Sequence, residues 1–198
     1  MRVNMVTRKT SKPEIADSPS MDAETTNLLD VIIELKNPDS YMPTMATDGS
    51  ACYDLYASED VLLSPREIKP IPTGVKMQIP KGYVGLLFPR SGISKNTYLR
   101  LANNVGVIDS DYRGEVMPLM ENIWFTDARN QRLPSIWDLK GDYREDFSAG
   151  YFTVRTYEIK KGDRVAQLMI LPVPATRLVA GKVDQTERGE GGFGSTGK

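Results

Sequence analysis

The chain has 198 residues, is 40% hydrophobic, and balances 25 basic against 26 acidic side chains. That composition suits one domain with a sizeable core, and a net charge of −1 leaves no general basic footprint for nucleic acid. The lone Cys52 excludes an internal disulfide and suits a reducing, cytoplasmic setting. There is no histidine, which rules out Ser–His and Cys–His nucleophile pairs and argues against a structural zinc site. A hydrolytic site here must take its proton on a carboxylate, a lysine, a tyrosine or a metal-bound hydroxide.

Residues 1–27 are polar and rich in Ser, Thr, Pro and charge, with no apolar stretch of a signal peptide, and read as a flexible extension. No apolar run in the chain approaches the roughly 20 residues of a membrane span. A β-domain is expected over 28–185. It opens with LLDVIIELK (28–36), followed by the weakly alternating YDLYAS (53–58). The run from Val61 to Pro80 breaks into three short strands at Pro65, Pro70, Pro72 and Gly74, and YVGLLFP (83–89) is strand-like again. A short helix is expected near 92–97. GEVMPLMENIWF (114–125) and RVAQLMILPV (164–173) are apolar enough for central buried strands. Many short strands divided by turns point to an all-β sandwich or barrel. Residues 126–150 stand apart, being charge-rich without clear structure yet carrying Trp137 and Phe147. Residues 174–198 form a terminal arm that could span about 80–90 Å at roughly 3.3–3.6 Å per residue.

Five stretches carry chemistry. In PRSG (89–92), Arg90, Ser91 and Gly92 offer a guanidinium, a hydroxyl and an unhindered N–H, a compact oxyanion receptor or else a plain strand-end turn. In SACYDLYAS (50–58), Asp54 sits in an apolar strand and must either pair with an arginine or orient a hydrated Mg²⁺. NNVGVIDSDYRGEVM (103–117) reads as a hairpin hinged at Asp109-Ser110-Asp111. Its backbone could read a flat base between the apolar walls Val107, Ile108 and Met117. GDRVAQLMI (162–170) buries Gln167, a structural glutamine or a ligand-binding one. Finally, RGEGGFGSTGK (188–198) fits G-x-G-x-x-G and all but the last residue of G-x-x-x-x-G-K-[ST]. Both motifs need a helix after the glycines, and none follows within this sequence.

In order and in sequence, these stretches resemble the five motifs of the homotrimeric dUTPases, over about Leu29 to Gly197 without the 126–150 segment. The resemblance implies a jelly-roll-like all-β fold, three subunits sharing three sites, and a C-terminal arm that swaps between subunits. It implies hydrolysis of dUTP to dUMP and pyrophosphate, which keeps uracil out of DNA and supplies dUMP. Asp109 is then the general base, Asp54 places Mg²⁺ through water, and Arg90, Ser91, Gly92 and Gln167 hold the phosphates. Asn103, Val107, Ile108 and Met117 line the uracil pocket, and Tyr112 lies against the deoxyribose, excluding a 2′-hydroxyl. Residues 186–198 become a lid, with Phe193 over the uracil and Arg188, Gly194, Ser195 and Thr196 on the phosphates. Cys52 departs from the family's usual Gly or Ala. The 126–150 insert resembles that of bacteriophage-type members, which also act on repressors, and makes a host-cytoplasmic protein with a repressor-like partner at Trp137 and Phe147 one expectation. A surface hairpin covering the trimer edge is the other. The rival activity, dCTP deamination, needs a carboxylate after the hairpin, where this chain has Leu119, with Glu121 two residues on. The rival from another class is an idle regulatory protein that only binds dUTP.

Overall fold

A computed structural model of the chain describes residues 28–125, 132–133, 135–145, 152–153 and 155–192, with backbone alone at 132–133 and 152–153. The short apolar runs become β1 (Ile32–Leu35), β2 (Tyr53–Tyr56), β3 (Val61–Leu63), β4 (Ile68–Pro70), β5 (Val75–Gln78) and β6 (Tyr83–Phe88). Helix α1 (Ser91–Asn96) follows, then β7 (Leu99–Leu101), β8 (Gly106–Ile108) and β9 (Leu119–Asn122). The remaining strands are β10 (Arg132–Leu133), β11 (Ser135–Trp137), β12 (Tyr143–Glu145), β13 (Phe152–Thr153), β14 (Tyr157–Ile159) and β15 (Arg164–Pro172). Among the described residues no helix is long and apolar enough to cross a membrane.

The fold is all-β and jelly-roll-like. Three larger sheets run β2-β15-β6-β8, β4-β9-β7 and β12-β11-β14-β3, beside the pairs β1-β5 and β10-β13. As its apolar run requires, β15 is a central strand, paired antiparallel with both β2 and β6. Val165 and Ala166 are buried in succession, against strand alternation, because the register with β2 shifts between Arg164 and Ala166. That shift lets β15 feed two cores. Val165 joins Leu63, Ile71, Leu99, Met120 and Tyr157, while Leu168 joins Leu55, Val75, Met77, Leu87 and Val116.

Two expectations about local structure are corrected. The 114–125 run is a strand only over Leu119–Asn122. Upstream, Val116 donates its N–H to Val75 C=O at 2.8 Å, and the Pro118 C=O accepts from Ile71 at 2.9 Å. The chain thus leaves one sheet and joins another at Pro118, where a residue without an N–H forfeits no ladder bond. The 103–117 hairpin accordingly does not close on itself, since β8 pairs with β6 and not with the segment after the turn.

The insert is also more ordered than its composition suggests. β11 and β12 form a hairpin within it, and β11 pairs in parallel with β14 through Trp137 and Tyr157. Ile136 is buried and Trp137 packs against the main core, so this part of 126–150 extends a core sheet. Residues 1–27, Phe147 and the tail residues Phe193, Gly194, Ser195 and Thr196 lie outside the described residues.

Candidate active site

β8 is the edge strand of its sheet, so the backbone groups on its outer side have no strand neighbour. Val107, at 61% exposed, marks that edge. A cleft of about 260 Å³ opens beside it, lined by Pro70, Val107, Ile108, Asp109, Tyr112, Glu115, Val116 and Met117. A smaller one of about 100 Å³ shares Val107, Ile108 and Met117 and adds Asn103, Gly106 and Leu119, among others. Asn103, Val107, Ile108, Asp109, Tyr112 and Met117, all from the 103–117 segment, therefore border two clefts that share Val107, Ile108 and Met117.

Only two carboxylates line the larger cleft, and their states differ. Glu115 is fully engaged: its Oε1 accepts the N–H groups of Gly74 (2.7 Å) and Thr73 (3.1 Å), and its Oε2 accepts from Lys36 Nζ at 2.6 Å. Burial pushes the Glu115 carboxyl up, but the Lys36 ammonium and the two N–H donors outweigh it and hold it below the usual range. Asp109 is exposed, and its carboxylate makes no hydrogen bond to any described residue. Its backbone C=O accepts from Tyr112 N–H at 3.1 Å, closing the turn that Asp109-Ser110-Asp111 foretold. Tyr112 folds over Gly114, where a Cβ would stand 2.3 Å from the phenolic oxygen. Only glycine leaves room for the ring there.

A second group gathers elsewhere. Strand pairing sets Gln167 directly opposite Asp54 on one side and Phe88 on the other. Asp54 is 3% exposed, and its two oxygens accept from Arg90 Nε (2.9 Å) and Arg164 Nη1 (3.2 Å). Of the two alternatives open for Asp54, arginine pairing is thus met twice over. Arg90 caps α1, whose first residues Ser91 and Gly92 are exposed, and its Nη groups bond no described residue. Gln167 is half-buried, and its side-chain amide bonds no described residue, which leaves that amide available. Burial, and then Asp54, push the Cys52 thiol up, away from the thiolate form. None of Asp54, Arg90, Ser91, Gly92 and Gln167 lines either cleft. Both groups belong to the sheet β2-β15-β6-β8 or to the segments that flank it.

The donor set decides how a metal could fit. No three Asp, Glu, Cys or His side chains gather among the described residues, and both Asp54 oxygens are already committed. These residues fit a hydrated cation touched through water.

Past Val173, whose N–H donates to Gly82 C=O at 2.7 Å, the arm runs without secondary structure to Gln185 and stays exposed. Leu178 and Val183 are 98% and 94% exposed, apolar side chains that no described residue covers. Arg188 lies in a closing turn, where its Nε donates to Gly191 C=O at 2.9 Å.

The dUTPase family model matches residues 39–124 and 133–197. The chain belongs to the dUTPase family. It is 36% identical to the deoxyuridine 5′-triphosphate nucleotidohydrolase of Mycolicibacterium gilvum over 81% of this chain and 90% of that one. It is 33% identical to the dUTPase of Staphylococcus bacteriophage 80alpha with dUpNHpp, at a TM-score of 0.77 over 85% of this chain and 99% of that one. It is also 33% identical to the dUTPase from phage phi11 of S. aureus, solved to visualise its species-specific insert, at a TM-score of 0.70 over 80% of this chain and 98% of that one. A mutant of the phi11 enzyme reveals the coordination of a structural Mg(II) ion.

Within this dUTPase, sequence reading passed over Glu115, Lys36 and the pairing of Arg164 with Asp54. Glu115 lies in the 103–117 segment, but its partners are 41 and 79 residues away, a distance no local pattern reveals.

Proposed function

We propose that this dUTPase, a dUTP diphosphatase releasing dUMP and pyrophosphate, uses Asp109 as its general base. The observation that carries the reading is the contrast between the two cleft carboxylates: Glu115 is saturated by donors, and Asp109 is free at the lip. Asp109 takes a proton from water, whose oxygen bonds to the α-phosphorus as the bond to the bridging α–β oxygen breaks and pyrophosphate leaves. Asn103, Val107, Ile108 and Met117 hold the uracil, with the open edge of β8 reading its donors and acceptors. Tyr112 stands against the deoxyribose. Arg90, Ser91, Gly92 and Gln167 receive the phosphates, with Asp54 aiming Arg90. Mg²⁺ on the triphosphate, when bound, supplies charge neutralisation at the phosphate oxygens. Arg188, Phe193, Gly194, Ser195 and Thr196 complete the lid.

The Asp109 cleft and the Arg90–Gln167 group share no lining residue, which supports a working site that joins the cleft of one subunit to the phosphate receptor of another. A homotrimer with swapped arms supplies this, and the bare Leu178 and Val183 are the residues such a swap would cover. The deaminase alternative is disfavoured by placement. Leu119 borders the smaller cleft, whereas Glu121 lies mid-sheet, in register with Ile68 and Arg100. The test is pyrophosphate release from dUTP, UTP, dTTP and dCTP, with Mg²⁺ or with EDTA, for the full chain and for a truncation after Thr186. Release from dUTP alone is expected, lost in EDTA and reduced about 100-fold by truncation, as misplaced reactants cost. Uracil nucleotide appearing from dCTP would move the assignment to deamination; no turnover of any nucleotide would leave a dUTP-binding regulator.

A second reading concerns the insert. The 80alpha neighbour is described as one of the phage dUTPases that control transfer of virulence genes by a proto-oncogenic G protein-like mechanism. Here β12 is the edge of its sheet with Tyr143 exposed, while Trp137 is half-buried against the core and Arg155. A repressor-like partner would therefore meet Tyr143 and the β12 edge rather than Trp137. Deleting 126–150 would remove the buried Ile136, so the cleaner variant is Tyr143→Ala with Glu145→Lys. At least a tenfold loss of repressor affinity with unchanged dUTP turnover is expected, roughly the 1.4 kcal/mol a contact residue carries. Unchanged capture of the repressor would leave the hairpin as a structural cover.

A further inference from the structure

We infer that Glu115 is a positioning residue for sugar specificity, pinning the Tyr112 turn to the Thr73–Gly74 corner of the sheet. The inference rests on the reading of Tyr112 as the neighbour of the deoxyribose. Tyr112 is held by its own turn: its hydroxyl donates to Glu115 C=O at 3.0 Å, and its ring lies over Gly114. The ring can be no better placed than Glu115 itself. Arg113 braces the turn from outside, donating to the C=O groups of Ser110 and Tyr112 at 2.8 Å each.

Glu115 is in turn tied across the fold. Its Oε1 takes both N–H groups of the Thr73–Gly74 corner, and its Oε2 takes the Lys36 ammonium. That corner is closely packed: Gly74 has φ +69°, and a Cβ there would stand 2.1 Å from Ser40 Oγ, so only glycine fits. Thr73 Oγ1 donates to Val116 C=O at 2.6 Å and locks the next residue as well.

Rigidity matters because the discrimination is steric. An apolar wall rejects an added hydroxyl only weakly, by about 10²-fold in known cases, and a ring free to retreat would reject it less. The carboxylate anchor keeps Tyr112 from retreating. Glu115 acts through Tyr112 and need not touch the nucleotide.

The experiment measures kcat/KM for dUTP and for UTP on the assembled full-length protein. Their ratio is internal to each preparation, so it does not depend on the folded fraction. Variants are Glu115→Ala, Glu115→Asp, Glu115→Gln and Tyr112→Ala. Glutamine keeps an Oε1 for both N–H groups; aspartate keeps the charge, and so the fold, but falls a methylene short. Ala and Asp at 115 are expected to lower the dUTP/UTP ratio about tenfold, as loss of one charged hydrogen-bond anchor allows, and Gln to stay within about threefold of the parent. Tyr112→Ala should lower the ratio at least as far. If Tyr112→Ala lowers it while Glu115→Ala and Glu115→Asp do not, the anchor is overturned and the Tyr112 reading stands. If Tyr112→Ala leaves it unchanged, that reading fails and takes the inference with it. A loss in Gln equal to that in Ala would overturn the assignment of the anchoring to Oε1.

Discussion

Asp109→Asn is expected to lower kcat for dUTP about 10²–10⁴-fold, the range a general base contributes, with dUTP affinity nearly unchanged. The substitution is nearly isosteric, so the walls made by Val107, Ile108, Tyr112 and Met117 keep their shape. An amide can still hold a water but cannot take its proton. The other carboxylate lining the cleft, Glu115, already accepts three donors and is not free to substitute. With no histidine in the chain, imidazole rescue from elsewhere is also absent. Single-turnover pyrophosphate release, paired with titration of a non-hydrolysable dUTP analogue, separates the two effects. If the variant keeps more than about a tenth of the parent kcat, less than 1.4 kcal/mol of barrier came from the carboxylate, and Asp109 is not the base.

Asp54→Ala is expected to cost both stability and activity. It would leave Arg90 and Arg164 facing each other across a site where Asp54 is nearly fully buried. Removing one partner of a buried ion pair costs about 3–5 kcal/mol, but Arg90 and Arg164 side chains are 22% and 48% exposed and keep part of their hydration. Screening by that water brings the expected loss to about 2–3 kcal/mol. Activity should fall further than stability implies, since Arg90 loses the bond to its Nε that aims the guanidinium. A drop of about 100-fold in kcat/KM would follow from that misdirection. Denaturant titration read beside kcat/KM tests both parts. An unchanged midpoint would show the paired charges to be energetically neutral, and an unchanged kcat/KM would remove Arg90 aiming from the mechanism.

Much of this was written locally. β6, α1 and β15 lie where apolar runs and Pro or Gly punctuation place them, because strand and turn preferences act between near neighbours. Two segments differ from what their composition suggests, because composition does not show which strand will be a segment's partner. The 114–125 run looked like a single strand because its apolar content is continuous, yet Pro118 marks a change of sheet. The insert looked unstructured because charge dominates it, yet the three residues of β11 gain a core sheet as partner.

The sequence by itself determined the chemistry on offer: no imidazole, one small thiol, a few aspartates at turns and strands, and five ordered motifs belonging to the dUTPases. Only the tertiary structure decided which carboxylate is free. Asp54 meets Arg164 across 110 residues and Glu115 meets Lys36 across 79, and both pairings follow from which strands lie side by side. It also decided that Asn103, Val107, Ile108, Asp109, Tyr112 and Met117 border the clefts beside β8, while Asp54, Arg90 and Gln167 do not. Periodicity reports the face a side chain takes, while the partner on that face is set by sheet order, a property of the whole fold.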